Sequence, residues 1–183
     1  MKRITTLQGA ALLVAALAIP LPALAASCAQ DGPEAPLALH KAWIMTGWER
    51  REGDGPYDFA KKLGKFYDLK DTAGVFWDNF APGETKLFDD AARYGANWKS
   101  LQDAARTVSH GIRNGDALVS DTVASTTLGF VGRLEPLTGD VVAFDARSQI
   151  GWTCVAGAWK IHHELNYAWV VDPKTIELVL GQQ

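Results

Sequence analysis

The sequence predicts an α+β fold, because helical and strand-like patterns are segregated along the chain rather than strictly alternating. Two helical patterns follow each other within residues 36–68. A strand and a further helix come next, and four long strand-like segments, most simply antiparallel, complete the order. The clearest pattern is at residues 139–172, which predict two long strands joined by a turn.

The closing hairpin is predicted to turn at Val155-Ala156-Gly157-Ala158, a loop of the three-to-five-residue type. Alternate residues of its second arm fall into two sets. The mostly apolar set shares one face: Trp159, Ile161, His163, Leu165 and Tyr167. The polar set shares the other face: Lys160, His162, Glu164 and Asn166. This period of two predicts a half-buried strand, with the imidazole of His163 as the odd member of the buried face.

Residues 1–25 are typical of a secretory signal peptide, with a charged start, a short apolar middle and a small-residue cleavage site. The apolar run from Ala10 to Ile19 is shorter than the roughly 20 residues that span a membrane. We therefore expect a bacterial periplasmic or secreted protein with no transmembrane segment. An alternative stays open, because Ala25-Ala26-Ser27-Cys28 resembles a lipoprotein cleavage box, which would place a lipid anchor on Cys28.

Cys28 and Cys154 are the two cysteines of the chain. In an oxidising periplasm they could form a disulfide that ties the N-terminal tail to the closing hairpin. Equally, Cys154 could be a small buried hydrophobic residue while Cys28 is free or lipidated. Two cysteines without a nearby histidine pattern do not predict a zinc site.

The segment before the first helix, residues 26–35, is small and polar and is expected to be a mobile leader. The domain is therefore assigned to residues 36–183. A first helix is predicted from Pro36 to Arg51, where cations suit the last turn. A second helix is predicted to begin at Pro56, because proline is favourable in a first turn.

The middle of the chain is predicted to contain a strand at Gly74–Phe80 and a helix at Glu84–Ala105, interrupted around Gly95-Ala96-Asn97. Asn114-Gly115 lies between two apolar runs, and this dipeptide is the strongest local signal for a hairpin turn. We therefore expect the chain to reverse direction there, between the first two long strands.

Composition excludes several classes of function. The chain has 48% hydrophobic residues and seven tryptophans, enough for one core, and a formal net charge of −3. Nucleic-acid binding is not expected, because it takes a basic patch or stripe. The sequence contains no H-x-x-x-H, C-x-x-C, G-x-S-x-G or Gly-rich phosphate loop, so we predict no metal or cofactor.

Three short motifs resemble those of the SnoaL-like group in the nuclear transport factor 2-like superfamily. Trp159-Lys160-Ile161-His162-His163-Glu164 is similar to the W-K-I-x-H-E ending of the group. Arg147 stands twelve residues earlier, where the group commonly has an arginine, and Gly115-Asp116-Ala117-Leu118-Val119 is similar to its G-D-x-A-x-V entrance. The chain departs from the group at three positions, where Gln149, Leu165 and Tyr167 stand in place of the usual Thr, His and Ser.

The resemblance implies a cone-shaped α+β barrel, with N-terminal helices packed on a strongly bent antiparallel sheet. It also implies a mostly apolar cavity between the helices and the sheet. We therefore expect a domain that binds a small apolar or aromatic ligand there, or that serves as a dimeric assembly module. The alternative is a cofactor-independent lyase or isomerase of the dehydratase, ketosteroid isomerase or polyketide cyclase type.

Two residues are candidates for acid–base catalysis in such a cavity. His163 lies on the apolar face of the closing strand, and its alternative role is that of a hydrogen-bonded core histidine. Asp78 shares a face with Phe76 and Phe80. It is a candidate base with a raised pKa if that face points inward, and a solvated residue if the Trp77 face does.

Six residues are candidates for contact with the ligand. Arg147 suits a carboxylate or a phenolate, and its alternative is an ion pair with Asp145. Tyr167 could donate a hydrogen bond or belong to the core, and His110 could look into the cavity or cap an edge. The others are aromatic residues that would line or close the cavity: Tyr67, Trp77 and Trp98.

The resemblance also implies a homodimer, because many domains of this fold associate through the open face of the sheet. Trp152 and Trp169 are expected on that exposed face, and aromatic residues are enriched in such interfaces.

Overall fold

The computed structural model describes residues 27–70 and 72–181. The predicted signal peptide and the first half of the lipoprotein-like box, Ala25 and Ala26, lie outside these residues. Within the described part of the chain, no helix is long and apolar enough to cross a membrane.

The helical layer consists of short segments. Helix α1 continues directly into a π-helical turn, and a 3-10 turn precedes the last helix. Their bounds are α1 Pro36–Ala42, the π-helical turn Trp43–Gly47, α2 Phe59–Leu63, α3 Ala91–Ala104, the 3-10 turn Pro173–Thr175 and α4 Glu177–Leu180.

The strands form one sheet of six strands in the order β2-β1-β6-β5-β4-β3. All neighbouring strands are antiparallel except β1 and β6, which are parallel. The α+β class is confirmed, with this one parallel pair as a correction to a wholly antiparallel sheet. The bounds are β1 Val75–Asp78, β2 Leu87–Phe88, β3 Ala105–Val119, β4 Val123–Pro136, β5 Val142–Val155 and β6 Ala158–Val171.

The first two helices are shorter than predicted. The first helical stretch ends at Gly47, because Arg50 leaves it to form a backbone bridge with Val108 of β3. Pro56 does not open α2. The cap is Asp58, whose side chain accepts a hydrogen bond from the backbone N–H of Lys61 at 3.0 Å.

Helix α3 is continuous, and the interruption predicted at Gly95 is absent. Gly95 lies against the ring of Phe59, and a Cβ at this position would lie 2.2 Å from a ring carbon. The glycine therefore allows a close approach of α3 and α2 rather than a break. The helix begins after Asp90, whose side chain accepts from the N–H of Arg93 at 2.8 Å, and not at Glu84.

The hairpin turn predicted at Asn114-Gly115 is wrong, because β3 runs straight through it to Val119. The chain reverses at residues 120–122 instead, between β3 and β4. Asn114 lies at an irregularity of the β3–β4 register, and Gly115 leaves room for Leu128 of β4. Asn114 and Gly115 therefore serve a bulge and a contact with β4. Neither role can be predicted from the local sequence, which favours a turn.

The turn of the closing hairpin has two residues, Ala156 and Gly157, between the paired residues Val155 and Ala158. Both have positive φ, 50° and 84°, as a type I′ turn requires. The position of the turn is therefore confirmed, but the loop is shorter than the predicted class.

Strand β6 contains a bulge that decides which of its side chains face the core. Gly151 of β5 pairs with His163, whereas Trp152 pairs with Ile161, so the register moves by one residue between them. Before the bulge the buried residues are Trp159 and Ile161; after it they are Glu164, Asn166 and Ala168. The predicted alternation is correct up to Ile161 and inverted beyond His162.

The main core lies between the helices and the inner face of the sheet, where α1 contacts β3 and β4. His40 of α1 is fully buried there, hydrogen-bonded to Thr126 at 2.8 Å and Ser148 at 2.9 Å. Burial lowers the pKa of His40 to about 3, so the ring is neutral. A second, smaller core under α4 is formed by Val131, Ala143 and Ile176.

The residues before α1 are attached to the sheet at several points. Cys28 forms a disulfide with Cys154, which fixes the start of the described chain to the end of β5. The Nε1–H of Trp159 donates to the carbonyl of Ala29 at 2.7 Å. Residues 27–35 are therefore tied to the domain rather than a free leader, and the Cys28 sulfur that a lipid would need is engaged.

Candidate active site

A cavity of about 400 Å³ opens between the helical layer and the inner face of the sheet. This volume is within the usual range for small-molecule sites. Its wall is mostly apolar, and six of the lining residues are Trp or Phe: Trp43, Trp48, Trp98, Phe80, Phe130 and Phe144. Its polar lining is concentrated in six residues: Asp78, Asn79, Tyr94, Gln102, His110 and Asn166.

Two buried carboxyl groups, Asp78 of β1 and Glu164 of β6, are connected through Tyr94 and Asn166. The Tyr94 hydroxyl lies 2.6 Å from Glu164 Oε1 and 3.3 Å from Asp78 Oδ2. The Asn166 amide nitrogen lies 2.6 Å from Glu164 Oε1 and 3.1 Å from Asp78 Oδ2. We refer to these four residues as the carboxyl cluster.

Further donors hold the cluster in place. The Tyr67 hydroxyl donates to Glu164 Oε2 at 2.5 Å and itself accepts from Trp43 Nε1 at 2.8 Å. The backbone N–H of Phe80 donates to Asp78 Oδ1 at 2.7 Å. Each carboxyl oxygen of the cluster therefore has a partner, as buried charged groups require.

Burial raises the pKa of both carboxyl groups. It raises the pKa of Asp78 to about 6, against the opposing effect of the Phe80 N–H and the Asn166 amide. Burial also raises the pKa of Glu164 to about 7, and the nearby charge of Asp78 acts in the same direction. Both groups therefore exchange protons near neutral pH, which is the property of an efficient general acid or base.

Five buried polar atoms around the cavity have no hydrogen-bond partner among the residues that the structure describes. Two are donors, the indole N–H groups of Trp48 and Trp98, whose rings lie 5.2 Å apart. Two are acceptors, the amide oxygens Gln102 Oε1 and Asn166 Oδ1. The fifth, His110 Nδ1, is a donor or an acceptor depending on the tautomer. Unpaired buried polar atoms are costly, and all five belong to residues that line the cavity.

His110 of β3 belongs to the same cavity. Its ring is 8% exposed and lies between Phe130 and Phe144, with ring centroids 5.9 and 6.1 Å away. Burial lowers the pKa of His110 to about 4, so the imidazole is neutral at physiological pH and can donate or accept a hydrogen bond.

Four of the residues predicted for the site lie in or beside it. Asp78, Trp98 and His110 line the cavity. Tyr67 lies behind it and contacts Glu164. For Asp78 the inward alternative is therefore the one observed, because Phe76 and Asp78 are buried while Trp77 is only half-buried.

The other four predicted residues do not reach the cavity. His163 and Tyr167 follow the bulge of β6 and are exposed on the outer face of the sheet. Trp77 stacks on Tyr167 there, with ring centroids 6.5 Å apart. Arg147 is exposed and bonds to Asp145 at 3.0 Å, the alternative considered for it. Trp152, expected on the exposed face, is 1% exposed, whereas Trp169 is 38% exposed.

The residues predicted for the site do not include Glu164, Tyr94 and Asn166, which the structure places there. The alternation of the sequence assigns Glu164 and Asn166 to the solvent face, because it gives no sign of the bulge. Tyr94 had a usable signal: Ala91, Tyr94 and Trp98 recur at helical spacing on one face of α3 and are all buried.

Within the described residues, no group of three or more His, Cys, Asp or Glu side chains is arranged to hold a metal ion. The groups that the cavity wall offers for chemistry are the Asp78 carboxyl, the Tyr94 phenol, the His110 imidazole and the Gln102 and Asn166 amides.

No protein-family model and no curated protein matches this chain. Solved structures do match. A type 2 hexachlorocyclohexane dehydrochlorinase (LinA) superposes with a TM-score of 0.54 at 10% identity, covering 74% of this chain and 85% of the other. The Kfla4162 protein of Kribbella flavida gives 0.53 at 11% identity, over 63% and 80% of the two chains. A putative aromatic ring hydroxylase of Novosphingobium aromaticivorans gives 0.51 at 12%, over 62% and 80%. Identities this low establish a shared fold alone.

Proposed function

We propose that this chain, which has the nuclear transport factor 2-like fold, binds a small, uncharged, largely apolar ligand in its cavity. The observation that carries the proposal is the open aromatic cavity with unpartnered polar atoms in its wall. A closed cavity, plugged by Trp77, Trp98 and Tyr167, would have favoured a purely structural module. Trp77 and Tyr167 lie outside it instead.

The charge of the wall supports an uncharged ligand. Among the described residues that line the cavity there is no lysine or arginine, whereas Asp78 contributes a carboxyl group. An anion would enter without a counter-charge and beside a group of its own sign, at considerable cost. Arg147, which had suggested a carboxylate or phenolate ligand, lies on the other face of the sheet.

The two indole N–H groups indicate one feature of the ligand. Trp48 and Trp98 line the cavity and neither indole N–H has a partner among the described residues, so an acceptor oxygen that reached them, such as a carbonyl, would satisfy them. The flat apolar remainder of the ligand would contact Phe130 and Phe144.

Proton transfer on the bound ligand is the second candidate function, and the carboxyl cluster favours it. Asp78 lines the cavity, is held by the Phe80 N–H and has a pKa near neutrality. It would remove a proton from carbon beside a carbonyl, while a donor at that carbonyl would stabilise the developing oxyanion. A structure of this fold bears the name of a dehydrochlorinase, which supports a lyase as the form that such proton transfer would take.

Binding is tested with 2-tetralone, a neutral bicyclic ketone, against 2-naphthoate, an anion of similar size. We expect 2-tetralone to shift the indole N–H signals of Trp48 and Trp98 in NMR spectra, leaving that of the exposed Trp169 in place. The naphthoate should bind at least about tenfold more weakly, because its charge loses its hydration. Equal affinities, or shifts confined to Trp169, would contradict the proposal.

Matched variants locate the binding. Ala168→Leu fills part of the cavity and should weaken 2-tetralone binding by about tenfold or more. Leu165→Ala removes an exposed side chain from the outer face of the same strand and should leave binding unchanged.

Catalysis is tested by the exchange of the C1 protons of 2-tetralone in D₂O, followed by NMR. Asp78 would accept a C1 proton as the C–H electron pair moves into the enolate, and would return a deuteron. Asp78→Asn should slow the protein-dependent exchange by about 100-fold. His163→Ala should have no effect, because His163 is outside the cavity; the reverse pattern would reject Asp78 as the base.

We also propose that the protein is exported to an oxidising compartment. The signal-peptide pattern of residues 1–25 and the Cys28–Cys154 disulfide support this location. The mass of the chain recovered from a bacterial envelope tests cleavage after Ala25. A mass that includes residues 1–25 would contradict export, whereas a lipid on Cys28 would contradict cleavage after Ala25 and the disulfide.

A homodimer through the outer face of the sheet remains a further proposal. Leu165, Tyr167 and Trp169 are exposed side by side on this face, which supports a second copy of the chain as its partner. Native mass spectrometry should show a dimer that Trp169→Lys weakens. A monomer at micromolar concentration would contradict it.

A further inference from the structure

The Tyr94 hydroxyl lies between two carboxyl groups but has only one proton to donate. Glu164 Oε1 is 2.6 Å away and Asp78 Oδ2 is 3.3 Å away. Burial raises the pKa of Tyr94 well above its ordinary value, so the group stays a phenol and does not ionise. Tyr94 can therefore satisfy both carboxyls only by donating to one and accepting from the other.

Two arrangements of the cluster meet this condition. In the first, protonated Asp78 donates to Tyr94, and Tyr94 donates to the Glu164 carboxylate, which also accepts from Tyr67 and Asn166. In the second, protonated Glu164 donates to Tyr94, and Tyr94 donates to the Asp78 carboxylate, which also accepts from Phe80 and Asn166. Asn166 serves both, because its amide has one N–H for each carboxyl.

We propose that Asp78 and Glu164 share one proton, which passes between them through the Tyr94 hydroxyl, so that Glu164 stores the proton of Asp78. In the step, the Asp78 proton moves to the Tyr94 oxygen as the Tyr94 proton moves to Glu164 Oε1. One O–H bond breaks and one forms at Tyr94, and net charge is unchanged. This inference rests on the proposed role of Asp78 in proton transfer.

The position of Glu164 suits a group that holds the proton for Asp78 and does not itself contact the ligand. It is 2% exposed and does not line the cavity, whereas Asp78 does. With the proton on Glu164, Asp78 faces the ligand as a base. With the proton on Asp78, the same residue faces the ligand as an acid, and no proton has to enter from solvent.

No other group near the cluster offers an equivalent route. Tyr67 accepts from Trp43 and donates to Glu164, but no hydrogen bond connects it with Asp78 among those the structure describes. Tyr57 is a buried neutral phenol whose pKa is raised by burial and by the charge of Glu164, and His110 lines the same cavity as a neutral ring. The titratable groups around the pair are therefore these two tyrosines, Tyr94 and His110.

The test is a double-mutant cycle read by carboxyl ¹³C NMR, which requires no ligand. In the wild-type protein, Asp78 and Glu164 should titrate with the same two apparent midpoints, as a coupled pair does. Glu164→Gln should convert the Asp78 curve to a single step and move its midpoint by about one pH unit.

The route through Tyr94 is isolated by repeating Glu164→Gln in two backgrounds. In Tyr94→Phe the effect of Glu164→Gln on the Asp78 midpoint should fall to less than about a third. In Tyr67→Phe, which removes the other tyrosine bonded to Glu164, it should be retained. An undiminished effect in Tyr94→Phe would show coupling by charge through space and would overturn the relay.

If Tyr94→Phe does not fold, 3-fluorotyrosine at position 94 keeps the ring and makes the hydroxyl more acidic. The Asp78 midpoint should then move, and an unchanged midpoint would overturn the proposal. Because these readouts need no ligand, the relay can stand even if 2-tetralone neither binds nor exchanges. Conversely, Asp78 could be needed for proton exchange of 2-tetralone while Glu164→Gln leaves the Asp78 titration unchanged. That result would support the proposed function and reject the relay.

Discussion

At the scale of single residues, Glu164 is buried, and none of the described residues forms an ion pair with it. Three hydrogen bonds, from Tyr67, Tyr94 and Asn166, take the place of solvent around its carboxyl group. Such bonds stabilise the charged form, but burial outweighs them and keeps the pKa of Glu164 near 7. The residue is thus held in a state where gaining or losing a proton is easy.

The raised pKa of Glu164 makes stability depend on pH in a defined direction. Its ordinary value is 4.5 and its folded value about 7, so the folded chain holds the proton more tightly. Its stabilising effect is complete below about pH 4.5 and is lost as the pH rises through 7. Glu164→Gln should remove this loss, so the variant gains on the order of 3 kcal/mol relative to wild type between pH 4.5 and 8.

Urea unfolding of both proteins at pH 4.5 and pH 8 measures the difference. His40 and His110, whose lowered pKa values destabilise the fold on acidification, are present in both proteins and cancel. Glu177→Gln, at an exposed site, is the matched control and should show no such change. A pH profile of Glu164→Gln parallel to wild type would contradict the raised pKa.

Gly95 gives a second prediction at this scale. Alanine normally stabilises a helix relative to glycine by about 1 kcal/mol, but here its Cβ would overlap the Phe59 ring. Gly95→Ala should therefore destabilise the protein by about 1–3 kcal/mol in urea unfolding. Phe59→Leu combined with Gly95→Ala should recover part of the loss. A stabilised single variant would show that helix propensity dominates.

At the scale of elements, the sequence predicts the position of β6 correctly, but it predicts the orientation of the β6 side chains only as far as the bulge. Hydrophobic periodicity locates β6 and its turn, because both are encoded locally by alternation and by Ala156-Gly157. The inversion at His162 depends on the pairing of β6 with β5, which no local pattern of β6 contains. For this reason the alternation predicts His163 inside and Glu164 outside.

The same division explains the other elements. The helix-then-strand order and the aromatic core follow from composition and periodicity, so the α+β class was predictable. Asn114-Gly115 and Gly95 were misleading because their glycines serve close packing against Leu128 and Phe59. Asp78 is recognisable as a candidate from its strand, but its partner Tyr94 comes from a distant helix, and their meeting is a property of the fold.

Neighbouring residues of β6 provide a direct test of the bulge. His163→Ala should change the free energy of unfolding by less than about 0.5 kcal/mol, because the ring is exposed. Glu164→Ala should cost about 2–4 kcal/mol, because it leaves the Tyr67 and Tyr94 hydroxyls and the Asn166 amide without their main acceptor. Chemical unfolding measures the free energy of unfolding of both variants. A larger loss of stability in His163→Ala than in Glu164→Ala would contradict the bulge and the register of β6.

At the scale of the whole molecule, the disulfide is the longest-range covalent constraint on the described chain, closing a loop with a sequence separation of 126. In the chain-entropy model, a loop of this length stabilises the folded state by about 4–5 kcal/mol. The Cys28→Ser/Cys154→Ser variant should lose up to this amount in urea unfolding, with an unaltered cavity and unchanged binding of 2-tetralone. A loss below about 1 kcal/mol would contradict this role.

The parallel pairing of β1 with β6 has a consequence for how the chain is made. The first strand finds its long neighbour only in the last one, with partners such as Asp78 and Asn166, and Cys28 must likewise wait for Cys154. These partners are near the C-terminus and are synthesised last. The sheet and the cavity therefore cannot form completely until most of the chain has been made. Folding dominated by such distant pairings is intrinsically slow. The chain should therefore stay unfolded during most of its synthesis, which is the state that the proposed export across a membrane would require.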